Sequence, residues 1–287
     1  MKRNKSFTEN KPLLYLVATP IGNLKEMSSR ALDIFNDSDI IAAEDTRNTK
    51  ALLSNYGINK FMFSLREHNE REASEYIIRE ILNGKKVAYC SDAGYPGISD
   101  PGSILVKKCI ENDICVSTIC GSCAFINALV ASGLDTTHFF FYGFLSSKEK
   151  LMRDELKELS KRKETIIFYE SPHRIGKTLK SMYEILGDRE AVIARELTKL
   201  NEEYIRGKLG ELVNINSDTL IGEMVIIVSG CHEEIESVSD QIILDRIRLF
   251  KQKGMSLKDA VEIASIDYND NKNRLYKLAL QNLKEDK

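Results

Sequence analysis

The sequence predicts an α/β protein of two domains, the first on a parallel sheet and the second on a mixed sheet, followed by a small helical tail. Three observations carry this. Short β-branched runs alternate with helix-length stretches through the first half, the strand spacing changes after His138, and three helical patterns follow Gly230. Parallel strands need a crossover of a dozen residues or more, so this alternation reads as a parallel sheet with helices on both faces.

Leu13 to Ala18, Ile40 to Ala43, Phe61 to Leu65, Val87 to Cys90 and Cys115 to Ile119 read as the strands of the first sheet. From His138 the strands are FFFYGF (139–144), TIIFYE (165–170), AVIARE (191–196), EYIRGKL (203–209) and EMVIIVSG (223–230). The stretch from Tyr204 to Val228 is strand-rich with short connections, which fits a mixed sheet. The Gly121 turn, before a helix from Phe125 to Leu134, divides a domain at 1–121 from one at 122–235. The patterns Gln241 to Lys253, Leu257 to Ser265 and Lys272 to Leu283, with Gly254 at the first turn, make 236–287 a helix-turn-helix-like tail, or equally a packing appendage.

The chain has 287 residues, 43% of them hydrophobic and 29% charged, which excludes disorder and fibres. Lys and Arg number 41 against 43 Asp and Glu, a net charge of −2, so any polyanion partner has to be held by a local patch. Lys150, Arg153, Lys157 and Lys161 recur at helical spacing and form either such a basic stripe or a solvated flank. The apolar runs are far short of the roughly 20 residues of a spanning helix, and the start has no signal-peptide core, so a cytoplasmic protein without membrane contact is expected. The six cysteines read as reduced and structural; only Cys120 and Cys123 are closely spaced, and no metal is expected.

In open sheets of this kind ligands bind outside the carboxyl ends of the strands. Three such ends carry small residues: Ala18 to Asn23, Ser91 to Gly102, and Cys120 to Ala124. Their coincidence on one sheet edge favours a bound small molecule. Asp100 and Pro101 have a structural explanation, as cap and first turn of the next helix; Asp92 has none. Other strand ends carry charge: Glu44 to Arg47, Arg66 to Glu70, Glu170 to Arg174 and Arg195 to Lys199. Asp45 or Thr46, and Asn69, also suit helix caps, but charge at strand ends of both domains points to a cleft between them.

The blocks LYLVATPIGNL, IIAAEDTRNTKALL, EHNE, SDAGYPGISDPG, GSCA, FYGFL, FYESPHR, ARELTK and GEMVIIV resemble, in order, the small-subunit (16S) ribosomal RNA cytidine 2′-O-methyltransferases of the tetrapyrrole methylase superfamily. The resemblance spans nearly the whole chain. Two places depart from the pattern: the turn usually read PGPCA or PGPSA is CGSCA here, and Tyr95 stands where threonine is usual.

The resemblance implies a class III methyltransferase fold, S-adenosylmethionine in the cleft, a homodimer, and methylation of the ribose of a decoding-centre cytidine, cytidine 1402, on the small ribosomal subunit. Carried over by motif, the cofactor contacts Pro20, Gly22, Ser91, Asp92, Ala93, Gly94, Gly121 and Ser122, with Tyr169 and Met224 from the second domain. Candidates for the base that takes the hydroxyl proton are Glu44, Asp45, Glu170, Glu196 and Lys199; Arg47, Arg174, Arg195 and again Lys199 are candidates for holding RNA, as are His68 and His173, for which a structural hydrogen bond is the alternative. Two rivals remain: a tetrapyrrole C-methyltransferase, whose usual first loop GxGPGDxxLLT is absent here, and a noncatalytic RNA- or ribosome-binding factor.

Overall fold

The computed structural model describes residues 5, 12–231, 239–268 and 270–282. One compact unit ends at Cys231 and contains both sheets; the second carries the C-terminal helices. The expected domain boundary at 235, and Leu283 at the end of the last predicted helix, lie outside the described residues.

The first sheet comprises β1 (Leu13–Val17), β2 (Ile40–Ala43), β3 (Met62–Ser64), β4 (Val87–Cys90) and β5 (Cys115–Ile119). Its order is β3-β2-β4-β1-β5, and every pair is parallel. Alternation sends Ile40, Ala42, Val87 and Tyr89 to one face, packed on α3 (Glu70–Leu82) and α4 (Ser103–Glu111). Ile41, Ala43, Ala88 and Cys90 face α1 (Ser29–Asp37) and α2 (Thr46–Ser54). Burial on both faces is why these strands read as unbroken apolar runs.

The crossover α5 (Ala124–Ser132) follows β5 but packs Ala128 and Leu129 against the second sheet. That sheet contains β6 (Phe139–Phe144), β7 (Thr165–Glu170), β8 (Glu190–Arg195), β9 (Glu203–Lys208) and β10 (Met224–Val228), in the order β6-β7-β10-β8-β9. Only β6 and β7 are parallel; β10 runs against both of its neighbours, so the sheet is mixed as the sequence predicts. Its other face is covered by α6 (Glu149–Leu159), α7 (Ile175–Leu186) and the short α8 (Leu209–Leu212). The stretch from Tyr204 to Val228 is thus less strand-rich than expected: α8 and a 3₁₀ turn at Ser217–Thr219 separate its two strands.

The helix caps differ from expectation at one informative place. Asp45 caps α2, its carboxylate accepting from Arg47 N, whereas Asp100 and Pro101 do not cap α4, which begins beyond them with Gly102 in the cap position. The reason is a carboxylate from elsewhere: buried Glu70 accepts from Gly102 N at 2.8 Å and Ile104 N at 2.9 Å. Gly102 adopts φ 134°, and a Cβ there would lie 2.8 Å from the Tyr89 ring. All six cysteines are free; Cys90, Cys109 and Cys115 are buried, but Cys120 is exposed rather than structural.

In the second unit α9 (Asp240–Gln252), α10 (Leu257–Asp267) and α11 (Lys272–Asn282) pack Ile243, Ile247, Val261 and Leu275 into their own small core. Among the described residues no helix is long and apolar enough to cross a membrane.

Candidate active site

Because β4, β1 and β5 are adjacent and parallel, their three small-residue loops emerge side by side. Thr19 and Gly94 exchange backbone hydrogen bonds of 2.9 and 3.0 Å, and Gly94 makes this turn at φ 72°, a conformation suited to glycine. Thr19 Oγ1 donates to Ser91 O at 3.3 Å. Gly121 packs so tightly on the first loop that a Cβ would lie 2.9 Å from that of Ala18.

The second sheet contributes loops of another kind. Glu170, at the end of β7, is only 3% exposed. Its carboxylate accepts from Ser171 N at 2.7 Å and Thr178 Oγ1 at 2.5 Å, and pairs with Arg174 at 3.2 Å. After β8, Lys199 Nζ lies 2.9 Å from Glu196 Oε1. Glu196 and Thr198 occupy left-handed backbone at φ 51° and 66°, a strain of the sort that clusters at functional sites. The segment is pressed from both sides: a Cβ on Gly22 would come within 2.7 Å of Lys199 Cγ, and one on Gly222 within 2.0 Å of Glu196 Oε1.

Between these two sets of loops lies a cavity of about 450 Å³. Ile21, Ile98, Phe144, Leu197, Met224 and Val225 give it apolar walls; Glu44, Asp92, Asp100, Glu170, Glu196 and Glu223 line it too, with Lys199 the one basic residue of the wall among the described residues. The cavity is therefore acidic. Burial raises Glu44 from its ordinary value, against the opposing hydrogen bond from Asp92 N. Burial, reinforced by the charge of Glu44, pushes Asp100 up to about 6. Burial also raises the Tyr169 hydroxyl.

Of the residues read from the sequence, Glu44, Asp92, Ala93, Gly94, Tyr169, Glu170, Glu196, Lys199 and Met224 line this cavity. Pro20, Gly22, Ser91, Gly121 and Ser122 flank it, the wall being formed by their neighbours Ile21, Cys123 and Ala124. Asp45 lies outside the wall, between Arg47 at 2.5 Å and Arg66 at 3.2 Å; the Arg47 guanidinium holds its carboxyl far below the usual range. His68 and His173 are exposed beyond the wall. Arg174 is tied to Glu170 and Leu145 O, and Arg195 to Glu203 and Ile221 O.

The sequence reading passed over Ser99, Asp100, Phe144 and Glu223, which line the cavity too. Asp100 was hidden by its fit to a cap. Glu223 was hidden by direction: β10 is antiparallel, and its first residue, Met224, pairs with both Glu170 and Arg195, the last residues of their strands. A search confined to carboxyl ends misses such a position. Among the described residues no group of His, Cys, Asp and Glu is arranged to hold a metal ion.

The sequence profile of the Tetrapyrrole (Corrin/Porphyrin) Methylases matches residues 13–213. The chain is 42% identical to ribosomal RNA small subunit methyltransferase I of Bacillus subtilis (strain 168), over 96% of this chain and 97% of that protein. It is 41% identical to the protein of that name from Vibrio cholerae serotype O1, over 99% and 100%. The chain belongs to the ribosomal RNA small subunit methyltransferase I family. This family placement makes the chain a methyltransferase. A solved uroporphyrin-III-C-methyltransferase from Thermus thermophilus shares the fold, with a TM-score of 0.55 at 16% identity over 76% of this chain and 94% of that one.

Proposed function

We propose that the protein transfers a methyl group from S-adenosylmethionine to the ribose 2′-hydroxyl of cytidine 1402 in the decoding centre of 16S ribosomal RNA, on the small subunit, as a cytoplasmic homodimer that needs no metal. The carrying observation is the acidic cavity at the carboxyl ends of β1, β4 and β5, in a chain of this family. We further propose the divisions 1–121, 122–235 and 236–287 as its domains.

The residues present fit the cofactor. The cavity lies within the roughly 300–1,000 Å³ of small-molecule sites. Its carboxylates suit a ligand bearing a sulfonium and an ammonium, since a nearby cation stabilises a buried carboxylate. The backbone of the Ser91 to Gly94 loop and the walls at Ile21, Tyr169 and Met224 would hold the remainder. When bound, S-adenosylmethionine supplies an electrophilic methyl. The protein's work is then alignment, which supplies roughly 7–11 kcal/mol, and removal of one proton, worth about 10²- to 10⁴-fold.

The supported proton acceptors are Glu44 and Asp100, whose carboxylates border the cavity and hold protons more tightly than usual. Glu170 is committed to Arg174 and Thr178, and Asp45 to two arginines. We infer that Lys199, paired with Glu196 on the strained segment and lining the cavity, holds RNA phosphate or base. The test is transfer of labelled methyl from S-adenosylmethionine to small-subunit particles from cells lacking the enzyme, with a tetrapyrrole acceptor in parallel. Labelling of the particles alone is expected; labelling of the tetrapyrrole alone overturns the reading, and binding of particles without transfer leaves a noncatalytic factor.

A further inference from the structure

The two places where the sequence departs from its family's pattern touch one another. Gly121 donates its backbone N–H to Tyr95 Oη at 3.1 Å. The adjacent Ser122 donates its hydroxyl to Glu26 Oε2 at 2.9 Å, reaching the segment that follows β1. With the Thr19–Gly94 backbone pair, each of the three loops is bonded to the other two. The links are unequal: Thr19–Gly94 is made by backbone alone, whereas both links to the β5 turn depend on side chains.

That turn, Cys120-Gly121-Ser122-Cys123, contains a glycine and no proline, so its own chemistry fixes none of its φ angles. It also leads directly into Cys123 and Ala124 of the cavity wall, opposite the loop that carries Tyr95, itself a wall residue. A turn that wanders here moves the wall. We propose that Tyr95 is a positioning residue for the cofactor, its hydroxyl holding the Cys120–Cys123 turn against the Ser91–Gly97 loop as prolines within the turn would do by rigidity. This rests on the cavity being the S-adenosylmethionine site.

Tyr95→Phe keeps the ring and removes the acceptor. Gly121 is exposed, so its freed N–H is solvated and the loss is one of order in the turn rather than an orphaned donor. One net hydrogen bond corresponds to about a fivefold change in affinity. The experiment measures KM for S-adenosylmethionine, kcat and melting temperature for the parent, for Tyr95→Phe, and for Tyr95→Phe combined with Cys120→Pro, which leaves the Ser122–Glu26 bond in place. A KM raised about fivefold in the single variant, with most of the loss in KM rather than kcat and with KM returned toward the parent's by the proline, supports the proposal. An unchanged KM, a loss confined to kcat, or a folded proline variant that restores nothing overturns it. A parent that does not bind S-adenosylmethionine overturns the function reading and this inference together; a parent that binds it, beside an indistinguishable Tyr95→Phe, overturns this inference alone.

Discussion

Where the first sheet borders the cavity, its β1, β4 and β5 loops have small residues at Gly22, Ala93, Gly94 and Gly121 beside the carboxylates of Asp92 and Asp100; the β1 and β4 loops are joined through their backbones, and the β5 turn is joined to both by side chains. Where the second sheet borders it, the loops carry Glu170, Glu196 and Lys199, each already engaged by an ionic partner. Both sets stand at the ends of buried strands, so the contrast arises in the loops rather than in the sheets. A surface of small residues lets a small ligand approach the backbone closely. Charged side chains held by their neighbours can instead release those partners to a polyanion. We propose on this ground that the first sheet chiefly holds the cofactor and that the second has a share in holding RNA.

The largest effect that sharpens this comparison is expected from the carboxylates between the halves. Glu44→Gln or Asp100→Asn should lower kcat by about 10²- to 10⁴-fold, whichever residue takes the proton. If it is Asp100, the parent's rate climbs with pH through about 6, and Asp100→Asn loses that limb. The same residue has a stability signature of definite sign. Folding raises it from 3.8 to about 6, so the folded state prefers the protonated form. Its favourable contribution is present below 3.8 and lost as pH rises through about 6. Asp100→Asn should therefore raise the melting temperature more at pH 8 than at pH 4; equal shifts at both would show that burial does not hold this proton.

Gly94→Val comes next. Gly94 sits at φ 72° and bonds Thr19 through its backbone, so a β-branched residue strains the joint between two loops by about 1–3 kcal/mol. Affinity for S-adenosylmethionine should fall at least tenfold by calorimetry, with the protein still folded. Gly97, at φ 84° with open space around its Cβ position, is the control: Gly97→Ala should cost less affinity. If Gly94→Val binds normally, the loop leaves the cofactor site.

Much of this arrangement was legible in the sequence because strand ends in a parallel sheet all point one way. The first sheet's strands were found within a residue of their ends, and the small-residue loops identified their shared edge. What was not legible depended on contacts across the chain. Asp100 fits a helix cap locally, and only the presence of Glu70 from α3 frees it for the cavity. Glu223 belongs to an antiparallel strand and so enters from the end a parallel rule ignores. Arg195 and Arg174 looked available as isolated charges, whereas their partners lie 8 and 4 residues away on the folded chain.

Those pairings give a third prediction. Lys199→Ala should reduce RNA methylation about tenfold while leaving cofactor affinity near the parent's, because Lys199 borders the cavity on a strained segment. Arg195→Ala removes the contacts to Glu203 and Ile221 O and should instead cost about 1 kcal/mol of stability, read from denaturant midpoints, with smaller loss of methylation. The reverse ranking would move the RNA contact to Arg195.

The smallest effect is expected on α6. Arg153 is paired with Glu184 at 2.6 Å and Lys157 with Asp154 at 3.1 Å, so the stripe is partly neutralised before any RNA arrives. Reversing Lys157 and Lys161 to Glu should flatten the logarithmic salt slope of RNA binding by no more than about 0.7 for each phosphate lost, leaving cofactor binding alone. An unchanged slope makes the stripe a solvated flank.

The most direct test of the central claim is the chemical position of the transferred methyl. Small-subunit particles lacking the modification are incubated with the protein and labelled S-adenosylmethionine, and their RNA is digested with alkali, which cleaves through a free 2′-hydroxyl. A methyl on that oxygen blocks the attack, so the account predicts label in a single alkali-resistant dinucleotide with cytidine at its 5′ position, reduced at subsaturating cofactor when Gly94→Val is used. Label released in ordinary mononucleotides, carried on a base, would contradict it.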